Sequence, residues 1–446
     1  QKDTKLVGST TQLAPNKTQE LFYKINDYTS LMGRLNLWDA DSRFRCLPAL
    51  SRNYYYKLFY TFINILVVAF MLLQFSAIYR RDEFDAKKMT DWIIFTFSNP
   101  LLLFFHFNIL YRKNEAKALL LCLTVMLKKV YNDRKVEGAM IKHAKFYMAA
   151  YLLLCSLSLL LYGFDGLLQV IRSGKNFITI VTVWPDEQDE SKLASMARII
   201  FYFIWWIIVF RASNGYMLAI SSTICLSHQF KTLHSYFYRL NEIFTEQHLT
   251  QTEKEDKYEK AFKVGIQLHS DTLWCTKQCQ AVYGLGYSGQ TTISLMGLVV
   301  VMFQLVNSER TLLNALALVA TAFTILVTTG IFMWNAGDVT VEASGLATAM
   351  YCSGWENCER ASSIRVRKLL VIAMTQAQEV LYSAVGMYFF LYMFTDYSAV
   401  CGPIFKILFL FVCLYSRGGP IVTKLGSDDG IPEKSRGTLK FYRHTH

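Results

Sequence analysis

The sequence predicts an all-α polytopic membrane protein with seven transmembrane helices. Hydrophobic residues make up 53% of the 446 residues and aromatic residues 15%, whereas charged residues account for only 18%. The apolar residues are concentrated in runs about as long as the roughly 20 residues with which a helix crosses the hydrocarbon core. Only helices and closed barrels satisfy their backbone groups in lipid, and these runs lack the alternation of barrel strands.

Seven runs are long and apolar enough to span a bilayer. In chain order they are residues 56–78, 92–111, 146–162, 197–218, 285–306, 312–334 and 381–415. They divide the chain into five parts: an N-terminal segment (1–54), a region with spans one to six (55–334), a polar connection (335–380), the last span (381–415) and a tail (416–446). The tail is polar and contains glycine and proline, so it is predicted to be disordered.

The connections between the spans are very unequal in length. Residues 307–311 form only a tight turn. Three connections are long, namely 112–145, 227–283 and 335–380. Apolar residues recur in them at helical spacing, for example at Leu233 and Phe237. Because these connections fall on one side of the membrane, we expect helices that extend beyond the bilayer and pack into an intracellular anchor layer.

The distribution of basic residues predicts which side these connections face. The connection 112–145 carries nine basic and three acidic residues. Cytoplasmic loops are enriched in lysine and arginine, so the N-terminus is predicted to be cytoplasmic and the C-terminus extracellular. The formal net charge of +12 could also suggest nucleic acid binding. However, the basic residues flank apolar spans without a recognition motif, which favours contact with membrane lipid and not with nucleic acid.

Neither the cysteines nor the histidines form a pattern typical of a catalytic or metal site. The ten cysteines are scattered, and none falls in a predicted external loop, so no disulfide framework is expected. Cys275 and Cys279 are one helical turn apart with His269 upstream, but a zinc site needs more ligands. The sequence contains no HExxH, P-loop, nucleophile elbow or Rossmann glycine motif. We therefore expect no enzyme activity, no metal and no cofactor.

The region after the sixth span combines small and aromatic residues in a spaced motif. It reads MWNAGDVTVEASGLATAMYCSGW from Met333 to Trp355. This motif resembles the signature region of insect odorant receptors, in which W-x-x-G-[DN] is followed by a serine and by A-x-Y-x-S-x-W. The matching residues are Trp334, Gly337, Asp338, Ser344, Ala349, Tyr351, Ser353 and Trp355. Weaker similarity covers about residues 25–415 and is to a ligand-tuning subunit, not to the shared co-receptor.

The resemblance implies a role in the sense of smell. It implies a heterotetrameric, ligand-gated, non-selective cation channel formed with the odorant-receptor co-receptor in the plasma membrane of a sensory-neuron dendrite. The intracellular helices would anchor the subunits, and the small residues of the motif would let helix backbones approach closely. The alternative is that these residues only keep a surface helix soluble. Tyr351 and Trp355, four residues apart on one helical face, argue against that alternative.

The resemblance also assigns the last span to the pore. Asp396 in this span is interpreted either as part of a cation-attracting pore or vestibule, or as an interfacial group that pairs with a neighbouring helix. A ring of aliphatic side chains that excludes water can close a channel. Alignment on Gly386 places that ring at Leu410, whereas alignment on Lys406 places it at or close to Val412. Lys406 itself is expected to turn sideways or toward the outer surface.

For the ligand, the resemblance implies a pocket in the outer half of the bundle, among spans two to six. There the sequence offers an aromatic and apolar set with few polar groups, namely Phe95, Thr96, Phe97, Ser156, Tyr162, Phe201, Trp205, Trp206, Met302 and Phe303. Such a set suits a small, volatile, mostly apolar odorant, which Thr96 and Ser156 could orient. Taken one by one, residues of these types are more often lipid-facing or generic core residues than ligand contacts.

Two other classes of membrane protein match the sequence less well. A G-protein-coupled receptor would have an extracellular N-terminus, but no Asp-Arg-Tyr follows the third span, and Asn99-Pro100 lacks the tyrosine expected four residues later. A secondary transporter would need internal repeats and broken helices with buried charge, and only Asp396 comes close. A glycan at Asn16 would contradict the cytoplasmic N-terminus.

Overall fold

Helices account for every regular element in the described part of the chain. The computed structural model describes residues 16–33, 54–84, 86–174, 176–186, 188–307 and 312–378. The helices are α1 (Lys17–Gly33), α2 (Tyr54–Ser76), α3 (Ala86–Tyr111), α4 (Lys113–Leu121), α5 (Leu127–Val130), α6 (Arg134–Ser173), α7 (Lys192–Leu240), α8 (Gln251–Asn307), α9 (Leu312–Ser344), α10 (Leu346–Tyr351) and α11 (Arg360–Gln378). Short 3-10 or π segments are Ala77–Glu83, Cys122–Met126, Asn241–Thr245 and Trp355–Asn357. The predicted all-α class is confirmed for these residues.

Five of the described helices are long and apolar enough to cross a membrane. They contain the segments Lys57–Arg80, Asp91–Tyr111, Arg134–Leu168, Lys192–Thr245 and Gln251–Met302. Each segment overlaps one of the first five predicted spans, and the sixth predicted span forms the first part of α9. The seventh span, 381–415, and the tail 416–446 lie outside the described residues. The count of seven helices and their orientation therefore stay predictions.

Helix α7 is the centre of the described fold. Residues 211–230 form an unbroken run of buried positions, and α7 packs against α1, α2, α3, α6, α8, α9 and α10. At roughly 1.5 Å per residue, the 49 residues of α7 and the 57 residues of α8 exceed twice the thickness of a hydrocarbon core of about 30 Å. Both helices therefore continue beyond any membrane that they cross, as the long connections predict.

Two apolar clusters follow one another along α7. The smaller cluster contains Ile204, Trp205 and Ile208 of this helix. The larger cluster contains its buried apolar residues from Ala212 to Leu240. Because α7 starts on the predicted extracellular side, the smaller cluster lies in the half of the bundle where the ligand pocket is expected.

Asp133 fixes the start of α6, the helix of the third predicted span. Its Oδ1 accepts hydrogen bonds from the backbone N–H groups of Lys135 and Val136, at 2.9 and 3.4 Å, as the side chain of a helix N-cap does. Its Oδ2 accepts a hydrogen bond from the Ser235 hydroxyl of α7 at 2.8 Å. The hydrogen bond from Ser235, together with those from the backbone, holds the pKa of Asp133 below its usual range.

Replacing Asp133 with alanine is expected to lower the free energy of unfolding by about 1 kcal/mol, the usual effect of losing an N-cap. Because the folded-state pKa is depressed, this contribution is present above the unfolded value of about 3.9 and is lost as the pH falls through the folded value. Thermal unfolding in detergent should therefore show a lower unfolding temperature for the alanine variant at pH 7, and this difference should shrink progressively below about pH 4. Asp133→Asn keeps the acceptor oxygen, so an equal loss in both variants would show that the cap is not the cause.

Candidate functional site

Three aromatic side chains from three helices meet in the smaller apolar cluster. Phe95 of α3 lies edge-on against Trp205 of α7 and Tyr162 of α6, with ring centroids 4.9 and 5.4 Å apart. The rings of Tyr162 and Trp205 are 5.5 Å apart. Such pairs are favourable because the positive edge of one ring meets the negative face of the other. We call these three residues, all of them sequence candidates for ligand contact, the aromatic cage.

Further aromatic residues in the same cluster extend the cage. Phe201 packs on Phe70 of α2 with ring centroids 5.4 Å apart. Trp206 lies 6.1 Å from Tyr202 and 5.5 Å from Phe210, measured between ring centroids. The sequence does not single out Phe70, because the expected pocket includes spans two to six and Phe70 belongs to the first span. The structure thus adds α2 to the walls of the candidate site.

The polar groups near the cage differ in their hydrogen bonding. The Tyr202 hydroxyl donates to the carbonyl oxygen of Leu159 at 2.9 Å. By contrast, the Trp206 Nε1–H and the Thr96 hydroxyl are buried and have no hydrogen-bond partner among the described residues. A buried polar group without a partner costs about 1–3 kcal/mol, and both groups have unused hydrogen-bonding capacity. Ser156 of α6 is half-buried.

Phe97 lies apart from the cage. It lines a shallow crevice between α3 and α8, and its side chain is 45% exposed. Positions 95 and 97 face different sides, because each step along a helix turns the side chain by about 100°. The rest of the crevice is formed by residues that no aromatic or polar pattern marks in the sequence: Ile93, Ile94, Ser98, Ile293, Met296, Gly297 and Val300.

Five further candidates from the sequence have no defined place beside the cage. Met302 is half-buried near the end of α8. The side chain of Phe303 lies outside the described residues. The pore candidates Asp396, Leu410 and Val412 also lie outside them, so their roles stay predictions.

The small-residue motif folds as a bent connection between α9 and α11. Helix α9 ends at Ser344, Gly345 forms a turn, and α10 follows. Ala343 of α9 is 2% exposed and Ala349 of α10 is 0% exposed, because α9 packs on α7, and α10 packs on α7 and α11, within the same chain. The small side chains therefore allow close helix packing within one chain. Ser344 and Tyr351 are exposed instead.

The start of the motif contacts α7 through a charged group. Gly337 is buried, and burial raises the pKa of the neighbouring Asp338. Asp338 also interacts with Trp334 and with the positive charge of Lys231 on α7. Lys231 Nζ is 3.4 Å from a carboxylate oxygen of Glu342, one turn further along α9. These contacts hold α9 against α7 where both helices extend beyond the predicted spans.

The end of the motif forms an exposed aromatic corner. The rings of Tyr351 and Trp355 have centroids 5.9 Å apart, and the Arg367 guanidinium lies 5.6 Å from the Trp355 ring centroid. Gly354 between them has a φ of +91°, and a Cβ there would come within 3.0 Å of Asn241 Cα. Only glycine adopts this conformation without strain, so the corner depends on glycine at this position.

Tyr258 of α8 holds Ser353, the serine of this corner. Their hydroxyl oxygens are 2.5 Å apart, and both residues are 0% exposed.

Tyr258→Phe is expected to lower the free energy of unfolding by about 1–2 kcal/mol, because Ser353 loses this partner while it stays buried. Adding Ser353→Ala should recover part of the loss. Thermal unfolding of the wild type, both single variants and the double variant measures the coupling; strictly additive losses would show that the bond contributes nothing.

Comparison with known families identifies the class of protein to which this arrangement belongs. A family profile described as 7tm odorant receptor matches residues 91–397, more than half of the chain. The chain belongs to this odorant receptor family. The match contains the whole aromatic cage and the complete small-residue motif, and it confirms the resemblance seen in the sequence. This odorant receptor therefore belongs to a family of membrane receptors and not of enzymes.

Solved insect receptor structures share the fold of this odorant receptor. The insect olfactory receptor OR5 from Machilis hrabei is similar with a TM-score of 0.62 and 12% identity, over 85% of this chain and 99% of that chain. OR5 in complex with eugenol is similar with a TM-score of 0.63 and 11% identity, over 90% of this chain and 100% of that chain. A comparison with curated protein sequences finds no match. At such low identity the likeness shows the fold alone.

Proposed function

We propose that this odorant receptor is the odorant-binding subunit of a ligand-gated, non-selective cation channel formed with the odorant-receptor co-receptor. The observation that carries the proposal is the family match over residues 91–397. In this proposal the channel is a heterotetramer in the plasma membrane of a sensory-neuron dendrite. It opens when an odorant binds and so converts a chemical stimulus into a cation current.

The proposed ligand is a small, volatile, mostly apolar molecule bound in the smaller apolar cluster. The aromatic cage supplies ring faces and edges, and burial of apolar ligand surface there contributes about 25 cal/mol per Å². The buried Trp206 Nε1–H and Thr96 hydroxyl supply hydrogen-bond donors for a carbonyl, ether or phenol oxygen. Eugenol, named in the OR5 complex, carries an aromatic ring with ether and phenol oxygens, and is the first ligand to test.

A cytoplasmic N-terminus is part of the proposal. The side-chain amide of Asn16 donates to the Thr124 carbonyl oxygen at 2.7 Å, and the Thr18 hydroxyl donates to Glu137 at 2.6 Å. Both acceptors belong to the basic connection 112–145, so α1 lies on the same side of the membrane as that connection. The excess of basic residues favours the cytosol for all of them. Asn16 is therefore expected to carry no glycan.

The proposal assigns the last span, 381–415, to the pore. Asp396 is proposed to contribute to the cation-attracting vestibule, and Leu410 or Val412 to form the apolar gate. The motif from Trp334 to Trp355 is proposed to anchor neighbouring subunits. The exposed corner at Tyr351 supports this role, because large exposed aromatic side chains often mark interaction surfaces.

Co-expression with the co-receptor tests the proposed function. Cells that express both subunits are exposed to an odorant panel that includes eugenol, and cation current is recorded while G-protein signalling is blocked. Cells with the co-receptor alone are the matched control. An odorant-evoked current that requires this subunit supports the proposal. A current abolished by the block would indicate a G-protein-coupled receptor, and no current with both subunits at the cell surface would contradict the channel.

A further inference from the structure

The first three turns of α6 present an exposed face of one charge sign. Arg134, Lys135, Lys142 and Lys145 are all exposed. Lys135, Lys142 and Lys145 are separated by seven and three residues, so they lie on one side of the helix. We call these four residues the basic face.

The acidic residues at the start of α6 are held by hydrogen bonds to other parts of the chain. Glu137, the single acidic residue between positions 134 and 145, is 5% exposed. Its two carboxylate oxygens accept hydrogen bonds from the Thr18 hydroxyl at 2.6 Å and from the Asn132 side-chain amide at 2.9 Å. Asp133 caps the helix and accepts a hydrogen bond from Ser235. An ordinary solvated face interleaves lysines with exposed carboxylates four residues away. On the basic face the charge of Lys135 acts on Asp133, whereas Lys142 and Lys145 have no carboxylate three or four residues away on α6.

Helix α7 contributes a further cation at the edge of the basic face. The charges of Lys142 and Lys231 both act on the His143 ring, which lies edge-on to His228 with ring centroids 5.4 Å apart. Lys231 is also 3.4 Å from a carboxylate oxygen of Glu342, so its charge is paired with a carboxylate of α9. The net positive charge at this level of the structure therefore comes from α6 itself.

The same side of α6 becomes apolar directly after the basic face. Phe146 is 58% exposed, Leu153 68% and Leu157 48%, and they continue the line of Lys142 in steps of four, seven and four residues. Because α6 is long and apolar enough to cross a membrane, lipid tails would cover these side chains. The change from Lys145 to Phe146 therefore marks the level at which phospholipid headgroups lie.

We propose that the basic face binds the headgroup of an anionic phospholipid. The ammonium groups contact the headgroup phosphates, while the acyl chains of the same lipid lie on Phe146 and Leu153. This continuity with an exposed apolar surface favours a lipid over a soluble phosphate compound. In the proposed topology the site faces the cytoplasmic leaflet, where anionic lipids are concentrated. The site is separate from the aromatic cage, and it does not depend on odorant binding.

Lipid binding to the purified full-length receptor in detergent tests this site. Short-chain phosphatidylinositol 4,5-bisphosphate, phosphatidylcholine of the same chain length and soluble inositol 1,4,5-trisphosphate are titrated, and the bound fraction is measured by native mass spectrometry. Each basic residue near an anionic lipid strengthens binding by roughly fivefold. Lys142→Gln combined with Lys145→Gln should therefore weaken binding of the bisphosphate lipid about 25-fold. Lys142→Arg combined with Lys145→Arg should retain it.

A charge-matched control separates the site from the net charge of the protein. Lys257→Gln combined with Lys260→Gln removes two exposed lysines from α8, and it is expected to leave lipid binding unchanged. Unchanged affinity in the Lys142 and Lys145 glutamine variant would overturn the proposal, as would equal affinity of the wild type for phosphatidylcholine. Equally tight binding of inositol trisphosphate would assign the site to a soluble phosphate. Where the double variant does not fold, each single glutamine variant carries the test, with an expected loss of about fivefold.

Discussion

Replacing Trp205 with leucine is expected to raise the half-maximal odorant concentration about 30-fold in cells that also express the co-receptor. The indole ring forms one wall of the aromatic cage, 4.9 Å from Phe95 and 5.5 Å from Tyr162 between ring centroids. Its loss removes apolar contact area and aromatic pairing with the ligand, together about 2 kcal/mol of binding free energy. Concentration–response curves of the evoked current, taken at matched surface expression, measure the change.

The control for this prediction is Phe332→Leu in the larger apolar cluster. Phe332 is also fully buried and packs on Tyr151 and Tyr216, with ring centroids 5.7 and 5.0 Å apart. Its loss is expected to reduce the amount of receptor at the cell surface and to leave the potency ranking of odorants unchanged. Trp205→Leu should instead raise the half-maximal concentrations of different odorants by different factors, because each ligand contacts the ring differently. If both variants change the half-maximal concentration of every odorant by the same factor, the cage is a structural core and not a ligand site.

The helices of this receptor are largely predictable from its sequence, because local patterns determine them. Long apolar runs place the five membrane-capable helices, and the recurrence of Leu233 and Phe237 predicts that α7 continues beyond its span. The walls of the candidate site are less predictable. Phe95 and Phe97 have the same residue type and nearly the same position, yet one is 5% and the other 45% exposed. This difference in exposure depends on how α3 crosses α7 and α8, which a single sequence does not specify.

The small-residue motif shows a second limit of sequence-based prediction. Its composition predicts close approach of helix backbones, and Ala343 and Ala349 are indeed buried at close helix contacts. Those contacts lie within one chain. Packing inside a chain and packing between subunits place the same demand on side-chain size, so composition does not distinguish them. Contact between subunits at the exposed side of the motif, around Tyr351, stays a prediction.

Replacing Gly286 with alanine is expected to lower the free energy of unfolding by about 2 kcal/mol, although alanine is the better helix former. Gly286 lies where α8 packs on α3, and a Cβ at this position would overlap the ring of Phe105. That ring is 2% exposed and packs on Tyr216 with centroids 4.5 Å apart, so it has little room to move.

Gly289, one turn further along α8, provides the matched control for Gly286. A Cβ at Gly289 would have no atom within 4 Å. Gly289→Ala is therefore expected to be neutral or to stabilise the protein by up to about 1 kcal/mol through helix propensity. Thermal unfolding of both purified variants in detergent compares the same substitution at two positions of one helix. Stabilisation of both variants would mean that helix propensity, and not the close packing of α8 on α3, governs this crossing.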